Sequence, residues 1–513
     1  MDYPYSNFYE FLADQAEKRR GKTALFDNEE KISYGKVLEN VDRLAAFFSD
    51  KGIKEGDKVA LFLRNSPEFI YTVFAISKIG AITVPVNTFL KEDELSYILT
   101  DSESTVLVAS EVHKSVINRS NAPVQCRFIL WEGEKRKCDE KNFDFSAALV
   151  HTDNVEQSDK ALDDIAVLIY TSGTTGKPKG AMLSNKNLLS NIEFSRKLIK
   201  VTPKDRVIVF LPMFHAFTFT VGVILPLYVG GSIVIIKSLQ PFSNIFKQTL
   251  TKRVTLFFGI PSVYNALARA KLPWYFMWFN TIRAFISGAA PLPPKTLNAM
   301  AKKFKRAKLL EGYGLSEASP VVCVNTLEKQ KAGSVGTAAY AYEIKIVDED
   351  MNELPSGAIG DIIVKGDHVM QGYFKRPEAT REAIVNGWLL TGDMGYLDEE
   401  GFLFIVDRKK DLIISKGINI YPREIEEVID AFEGIAASAV IGAQDEKSGE
   451  IPVAYIELEE ETGIYDENAL KQHMKQHLAN YKIPRQIHVI ETLPKNATGK
   501  VLKRILKENL KHA

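Results

Sequence analysis

The sequence predicts an α/β protein with three parts: a large N-terminal domain of helix-covered sheets, a β-rich subdomain at about 333–407, and a small α+β C-terminal domain over 412–513. Three observations predict it. Helical apolar periodicity alternates with short buried runs through the first part of the chain. From Gly333 short alternating strands and glycine turns take over. Five consecutive charges, Asp407-Arg408-Lys409-Lys410-Asp411, then read as an exposed connector and a domain boundary. Helix–strand alternation means parallel sheets covered by helices.

Tyr34 to Asp50 places Leu38, Val41, Leu44, Ala45 and Phe48 at helical spacing, and Gly52 follows as a stop. Val59–Leu63 and Ala81–Val86 read as strands. Between them Ser66-Pro67 starts a helix, serine as cap and proline at the first helical position. Polar residues thicken from Gly133 to Lys160, which predicts a surface excursion. Ile165–Tyr170, Val254–Phe258 and Ile282–Ile286 continue the buried strands. Val207 to Ile236 carries no formal charge and is long enough to span a bilayer, but Pro212, His215, Gly222, Pro226, Gly230 and Gly231 break it. It reads as strand, turn, buried helix and strand, with no integral membrane span. In the later subdomain Gly357, Gly360, Gly366 and Gly372 mark turns. Beyond the charge run come a helix at Glu424–Phe432, strands at Ala437–Ile441 and Val453–Leu458, a helix from about Glu467 to Asn480 and a strand at Gln486–Ile490.

Hydrophobic residues make up 45% of 513, enough for a large core. Lys+Arg and Asp+Glu both number 65, a balance that argues against a nucleic-acid binder. Cys126, Cys138 and Cys323 are scattered, and no apolar leader follows Met1, so the chain reads as a cytoplasmic protein with reduced thiols.

The most informative stretch is Tyr170-Thr-Ser-Gly-Thr-Thr-Gly-Lys-Pro-Lys-Gly180. Gly173, Gly176 and Gly180 let backbone N–H groups approach an anion. Thr171, Ser172, Thr174 and Thr175 add hydroxyls; Lys177 and Lys179 add charge. A nucleoside triphosphate is the natural guest. Thr171 stands where a Walker A loop needs its first glycine, so this is not one. Composition alone leaves a Gly/Thr hairpin open.

This loop resembles the signature of the adenylate-forming (AMP-binding) superfamily, which includes acyl-CoA synthetases, luciferases and peptide-synthetase adenylation domains. Further matches follow in order: Pro212-Met-Phe-His-Ala-Phe217, Ser287-Gly-Ala-Ala-Pro291, Gly312-Tyr-Gly-Leu-Ser-Glu317, Thr391-Gly-Asp393, Asp407-Arg408, Ser415-Lys-Gly417 and Pro494-Lys-Asn-Ala-Thr-Gly-Lys500. The resemblance implies an adenylation domain over 1–407, a hinge at 408–411 and a mobile C-terminal domain over 412–513.

It also implies substrates and roles: ATP with Mg2+, a carboxylic acid, and coenzyme A as acceptor. The 171–177 loop and Lys179 would hold phosphates, and Glu317 and Thr175 the metal. Tyr313 would stack on adenine against Gly288, Ala289 and Ala290, with Gly312 and Gly314 keeping the turn tight. Ser316 stands where the family more often has threonine and would reach the α-phosphate. Asp393 and Arg408 would take the ribose hydroxyls. Lys500 would contact carboxylate and α-phosphate during adenylation. Rotation at Lys410 would then replace it with Ser415, Lys416 and Gly417 beside a pantetheine tunnel.

The acid would lie among His215, Phe214, Phe217, Phe219, Val263 and Tyr264, a wall without charge, which favours a hydrophobic monocarboxylic acid. His215 by itself reads equally as a core histidine; the resemblance places it near the acyl carboxylate. Glu311–Pro320 and Val369–Phe374 look like bacterial long-chain fatty-acid–CoA ligases, so a medium- or long-chain fatty acid is the first choice. An aryl-CoA ligase, a fatty-acyl-AMP ligase and a non-catalytic nucleotide- or lipid-binding protein are the alternatives. Trp274-Tyr-Phe-Met-Trp-Phe279 reads first as core packing, with a peripheral membrane contact as the functional alternative. A homodimer is compatible with all of this.

Overall fold

The computed structural model describes residues 3–133, 138–171, 177–238, 242–338, 342–415, 418–445, 448–459, 465–496 and 499–511. Among these a nine-stranded sheet runs in the order Thr337–Ala338, Val321–Val324, Lys308–Gly314, Ala284–Ser287, Leu256–Gly259, Arg206–Val209, Ser232–Ile235, Thr23–Asp27, Glu30–Ser33. Its middle is parallel and both edges are antiparallel. A seven-stranded sheet runs Asn142–Asp144, Phe128–Glu132, Val106–Ser110, Lys58–Phe62, Ile82–Pro85, Ile165–Thr171, Lys179–Ser184. All its pairings are parallel except the last. So the predicted excursion after Gly133 returns as an edge strand, and the phosphate loop joins the two arms of a hairpin, with Thr171 opposite Lys179.

The local chemistry of the helices is as read. Ser33 accepts the Lys36 N–H at the start of helix Tyr34–Asp50, and Ser66 accepts that of Phe69 ahead of Pro67. The charge-free stretch becomes the strand Arg206–Val209, a π-helical segment Thr218–Ile224, the short helix Leu225–Tyr228 and the strand Ser232–Ile235. One core joins the two large sheets through these helices, with Phe8, Phe11, Phe48, Phe69, Phe74 and Phe219 fully enclosed. Each such ring contributes about 1.5–3 kcal/mol by leaving water, which explains why the charge-free stretch is buried. No helix among the described residues is long and apolar enough to cross a membrane.

A five-stranded antiparallel sheet follows, Glu343–Val347, Gly360–Lys365, Trp388–Leu397 and Ile384–Val385, with Leu403–Arg408 added to the long strand. Gly360 is a strand residue here, not a turn. The last sheet runs Ile418–Ile420, Ile413–Ser415, Gly449–Leu458, Ile435–Asp445, with Gln486–Ile490 beside Gly449–Leu458, over its own core of Ile413, Ile425, Ile429, Val440 and Met474.

Two further expectations are overturned. The charge run is not exposed throughout, because Asp407 is buried. Its carboxylate accepts the backbone N–H of Arg408 at 2.7 Å and of Arg423 at 2.8 Å. The aromatic run is not core: only Phe276 is buried there, and Trp274, Trp278 and Phe279 face outward. The first difference arises because a carboxylate can be buried when N–H donors satisfy it.

Candidate active site

The motif residues lie at the carboxyl ends of strands Ile165–Thr171, Arg206–Val209, Leu256–Gly259, Ala284–Ser287 and Lys308–Gly314. Ligands of open α/β sheets sit there because loops diverge and leave a crevice. The loops meet through specific contacts. Thr171 Oγ1 donates to Glu317 Oε1 at 3.2 Å, joining the two large sheets, and the Tyr373 hydroxyl donates to the same oxygen at 3.0 Å. Lys179 Nζ stands 5.2 Å from the Tyr373 ring centroid, and Lys177 Nζ 5.1 Å from that of Tyr97. Ser172, Gly173, Thr174, Thr175 and Gly176 lie outside the described residues.

Behind this loop, Asp101 accepts the Tyr170 hydroxyl at 2.8 Å and Arg376 Nη2 at 2.5 Å. Both contacts fix the base of the hairpin. Glu317 sits in the short turn Ser316–Ala318 together with the part-buried Ser316. Gly314 before it allows no side chain, since a Cβ would stand 1.9 Å from the Pro320 carbonyl oxygen.

Next along the sheet, Tyr313 donates to Asp393 Oδ2 at 2.6 Å. Asp393 is buried, and Oδ1 faces Arg408 Nε at 3.2 Å across the ladder that pairs the two residues. Burial, then the Asp393 charge, push the Tyr313 hydroxyl well above its ordinary range. Gly288 is buried against the Phe217 ring, and the half-buried Gly312 lies against Val324. Ala289 holds φ +69°, a left-handed conformation that strains a non-glycine residue and turns the chain sharply beside Ala290.

Phe214 and Val263 are buried, and Phe217 meets Phe258 edge-on at 5.9 Å. Exposed Phe89 packs against Phe214 at 6.4 Å. His215 Nδ1 accepts the Phe217 N–H at 3.4 Å, which assigns the ring proton to Nε2. Burial pushes the imidazole down to about 4, so it is neutral at working pH. Tyr264 is fully buried, its hydroxyl within reach of the Phe257 and Ile286 carbonyls at 2.9 and 2.8 Å; it pins adjacent strands. Phe219 packs in the opposite core, against Phe8 and Phe69.

Lys500 reaches this cluster from the C-terminal unit. Asn496 Oδ1 accepts its backbone N–H at 2.9 Å, forming a tight loop. Gly499 has φ +75°, and a Cβ there would stand 2.9 Å from Ile260 Cδ1, so the loop lies on the start of helix Pro261–Arg269. Burial, then the Arg408 charge, push the Lys500 ammonium down to about 8 against the pull of Asp393. Lys410 lies in the turn Lys409–Asp411 beside Arg408. Ser415 is buried at the end of strand Ile413–Ser415; Lys416 and Gly417 lie outside the described residues.

Sequence reasoning passed over Tyr373, Tyr97, Asp101 and Arg376. Tyr373 did carry a signal, as the hydroxyl in the Gly372-Tyr373 pair of a run used only for its resemblance. The Asp101 pairings carried none, because they join residues far apart in the chain.

Known proteins match the whole chain. The AMP-binding enzyme family covers residues 12–374, and the AMP-binding enzyme C-terminal domain covers 424–500. A long-chain-fatty-acid–CoA ligase of Bacillus subtilis (strain 168) is 34% identical over 99% of this chain and 95% of its own. A feruloyl-CoA synthase of Amycolatopsis sp is 33% identical over 94% of each. The ATP-bound structure of MatB from Rhodopseudomonas palustris superposes with a TM-score of 0.89 at 32% identity, covering 98% of this chain and 99% of that one. The order of its motifs, its four sheets and these full-length matches place the chain in the AMP-binding enzyme family, as an AMP-forming acid–CoA ligase that uses ATP, Mg2+ and coenzyme A.

Proposed function

We propose that the chain is a fatty-acid–CoA ligase of medium or long chain preference. The observation that carries this reading is the wall around His215: Phe214, Phe217 and Val263 are apolar, and no Asp or Glu occurs from Arg206 through Leu310 to pair an amino group. The feruloyl-type relative keeps an aryl acid as the competing substrate class.

In the first half-reaction a carboxylate oxygen of the acid attacks the α-phosphorus of ATP. The bond from that phosphorus to the bridging oxygen breaks, and pyrophosphate leaves. The neutral His215 donates from Nε2 to the acid and orients it. Lys500, which feels the charges of Arg408 and Asp393, stabilises charge that accumulates where carboxylate and α-phosphate meet. Asp393 and Arg408 hold the ribose, and Tyr313 lies against the base. In the second half-reaction the coenzyme A thiolate attacks the acyl carbon and AMP leaves. Rotation about Lys410 would withdraw Lys500 and bring the Ser415–Gly417 loop in its place.

Among the described residues no three His, Cys, Asp or Glu side chains group to hold a metal. A hard cation that binds nucleotide phosphates needs few protein ligands. Glu317 fits as its protein ligand, since two hydroxyls orient Oε1 and the carboxylate is a hard oxygen donor. When bound, Mg2+ neutralises phosphate charge.

A substrate panel from acetate to oleate, with ferulate and benzoate added, read as acyl-CoA formed, tests the reading. Highest kcat/KM for acids of medium or long chain is expected; highest kcat/KM for ferulate or benzoate would replace it with the aryl reading.

A further inference from the structure

Helix Trp274–Phe279 turns one ring inward and four outward. Phe276 packs on Phe246 with centroids 5.2 Å apart. Trp274 is 71% exposed, Trp278 73%, Phe279 69% and Tyr275 48%. Contiguous aromatic exposure of this kind marks an interaction surface.

The sequence segment that carries it is basic, although Lys237, Lys252, Arg269 and Arg283 pair with Asp27, Glu29, Glu459 and Asp205 from outside it. Between Arg206 and Leu310 the sequence has fourteen Lys and Arg residues and no acid, although the whole chain is neutral. Some of these cations frame the helix. Arg306 donates to the Met277 and Trp278 carbonyls at 2.6 and 2.8 Å, which fixes a guanidinium beside the exposed rings. Lys303 binds the Leu267 and Ala268 carbonyls, both at 2.9 Å, and holds the preceding helix end. Lys271 lies just before the helix, Lys302 and Lys305 sit beside Lys303 and Arg306 in sequence, and all three are exposed.

We propose that this face docks on an anionic membrane surface, with Trp274 and Trp278 at headgroup level and the flanking cations on lipid phosphates. Tryptophan and tyrosine favour that depth because one end of the ring system is apolar and the other polar. Basic side chains add long-range attraction to anionic lipid. A second copy of the chain fits less well: a two-fold contact would set this basic flank against itself. The proposal does not depend on which acid is activated.

Sedimentation of the full-length protein with vesicles tests it. Binding is expected to phosphatidylglycerol–phosphatidylcholine vesicles and not to phosphatidylcholine alone, and it should weaken with salt. Lys302→Ala and Lys305→Ala should each weaken it about fivefold. A double Trp274→Ser, Trp278→Ser variant should lose it, together with the blue shift of tryptophan emission on adding vesicles. Thermal midpoint and turnover of a water-soluble acid should be unchanged in these variants, since the altered side chains are exposed. The proposal is overturned by equal binding to both vesicle types, by no binding, or by a double variant that binds like the parent. Preference for a single-stranded oligonucleotide, or a lipid-free dimer abolished by the double variant, would overturn it as well.

Discussion

Tyr313 donates its hydroxyl to Asp393 across 2.6 Å, although eighty positions separate them. The bond joins the nine-stranded sheet to the β-rich subdomain, and Asp393 carries it on to Arg408, its ladder partner. Tyrosine, aspartate and arginine thus form one unit. Asp393 is oriented before any nucleotide arrives.

Tyr313→Phe keeps the ring and frees Asp393. A hydrogen bond to a charged group contributes about 1.5–3 kcal/mol, so KM for ATP should rise about tenfold or more. The acid's KM should stay put. Titration of initial rates against each substrate separately checks this; equal rises in both would point to general disruption.

Lys500→Ala should cut acyl-adenylate formation by about a hundredfold or more and spare thioester formation from supplied acyl-adenylate. Its pH dependence has a definite sign. Because the ammonium titrates at about 8 in the free protein, adenylation kcat/KM should fall as pH rises through that value. In Lys500→Arg, which keeps its charge, that fall should vanish. Pyrophosphate release measured from pH 6 to 10 checks both statements.

Tyr264→Phe separates core from acyl wall. The hydroxyl lies between two buried carbonyls, and its loss should cost about 1–2 kcal/mol and lower the melting temperature. Fatty-acid KM should hardly change. A large shift in chain-length preference instead would put the hydroxyl in contact with substrate.

Glu311 is buried, accepts the Leu292 N–H at 3.1 Å, and burial pushes its carboxyl up to about 7. A folded value above the unfolded one means the contribution is complete below about 4.5 and is lost as pH rises through about 7. Glu311→Gln should therefore melt higher than the parent at pH 8, with the gap closing towards pH 5. Melting curves at those two pH values check it.

Local chemistry alone carried much of this protein. The Ser33 and Ser66 caps, the helical stripe of Val41, Leu44 and Phe48, and the buried runs all depend on neighbours within a few positions, so they could be read along the chain. The ordered motifs identified the chemistry for the same reason: a hydroxyl- and glycine-rich loop attracts phosphate whatever surrounds it.

Folding decided what depends on partners distant in sequence. It buried Asp407 by bringing the Arg423 N–H to it, set Tyr264 against two strands, and added Tyr373 to Glu317. It also left the Trp274–Phe279 run outside. The number of apolar residues cannot settle burial, because a ring is buried only where another surface meets it, and here just Phe276 finds one in Phe246.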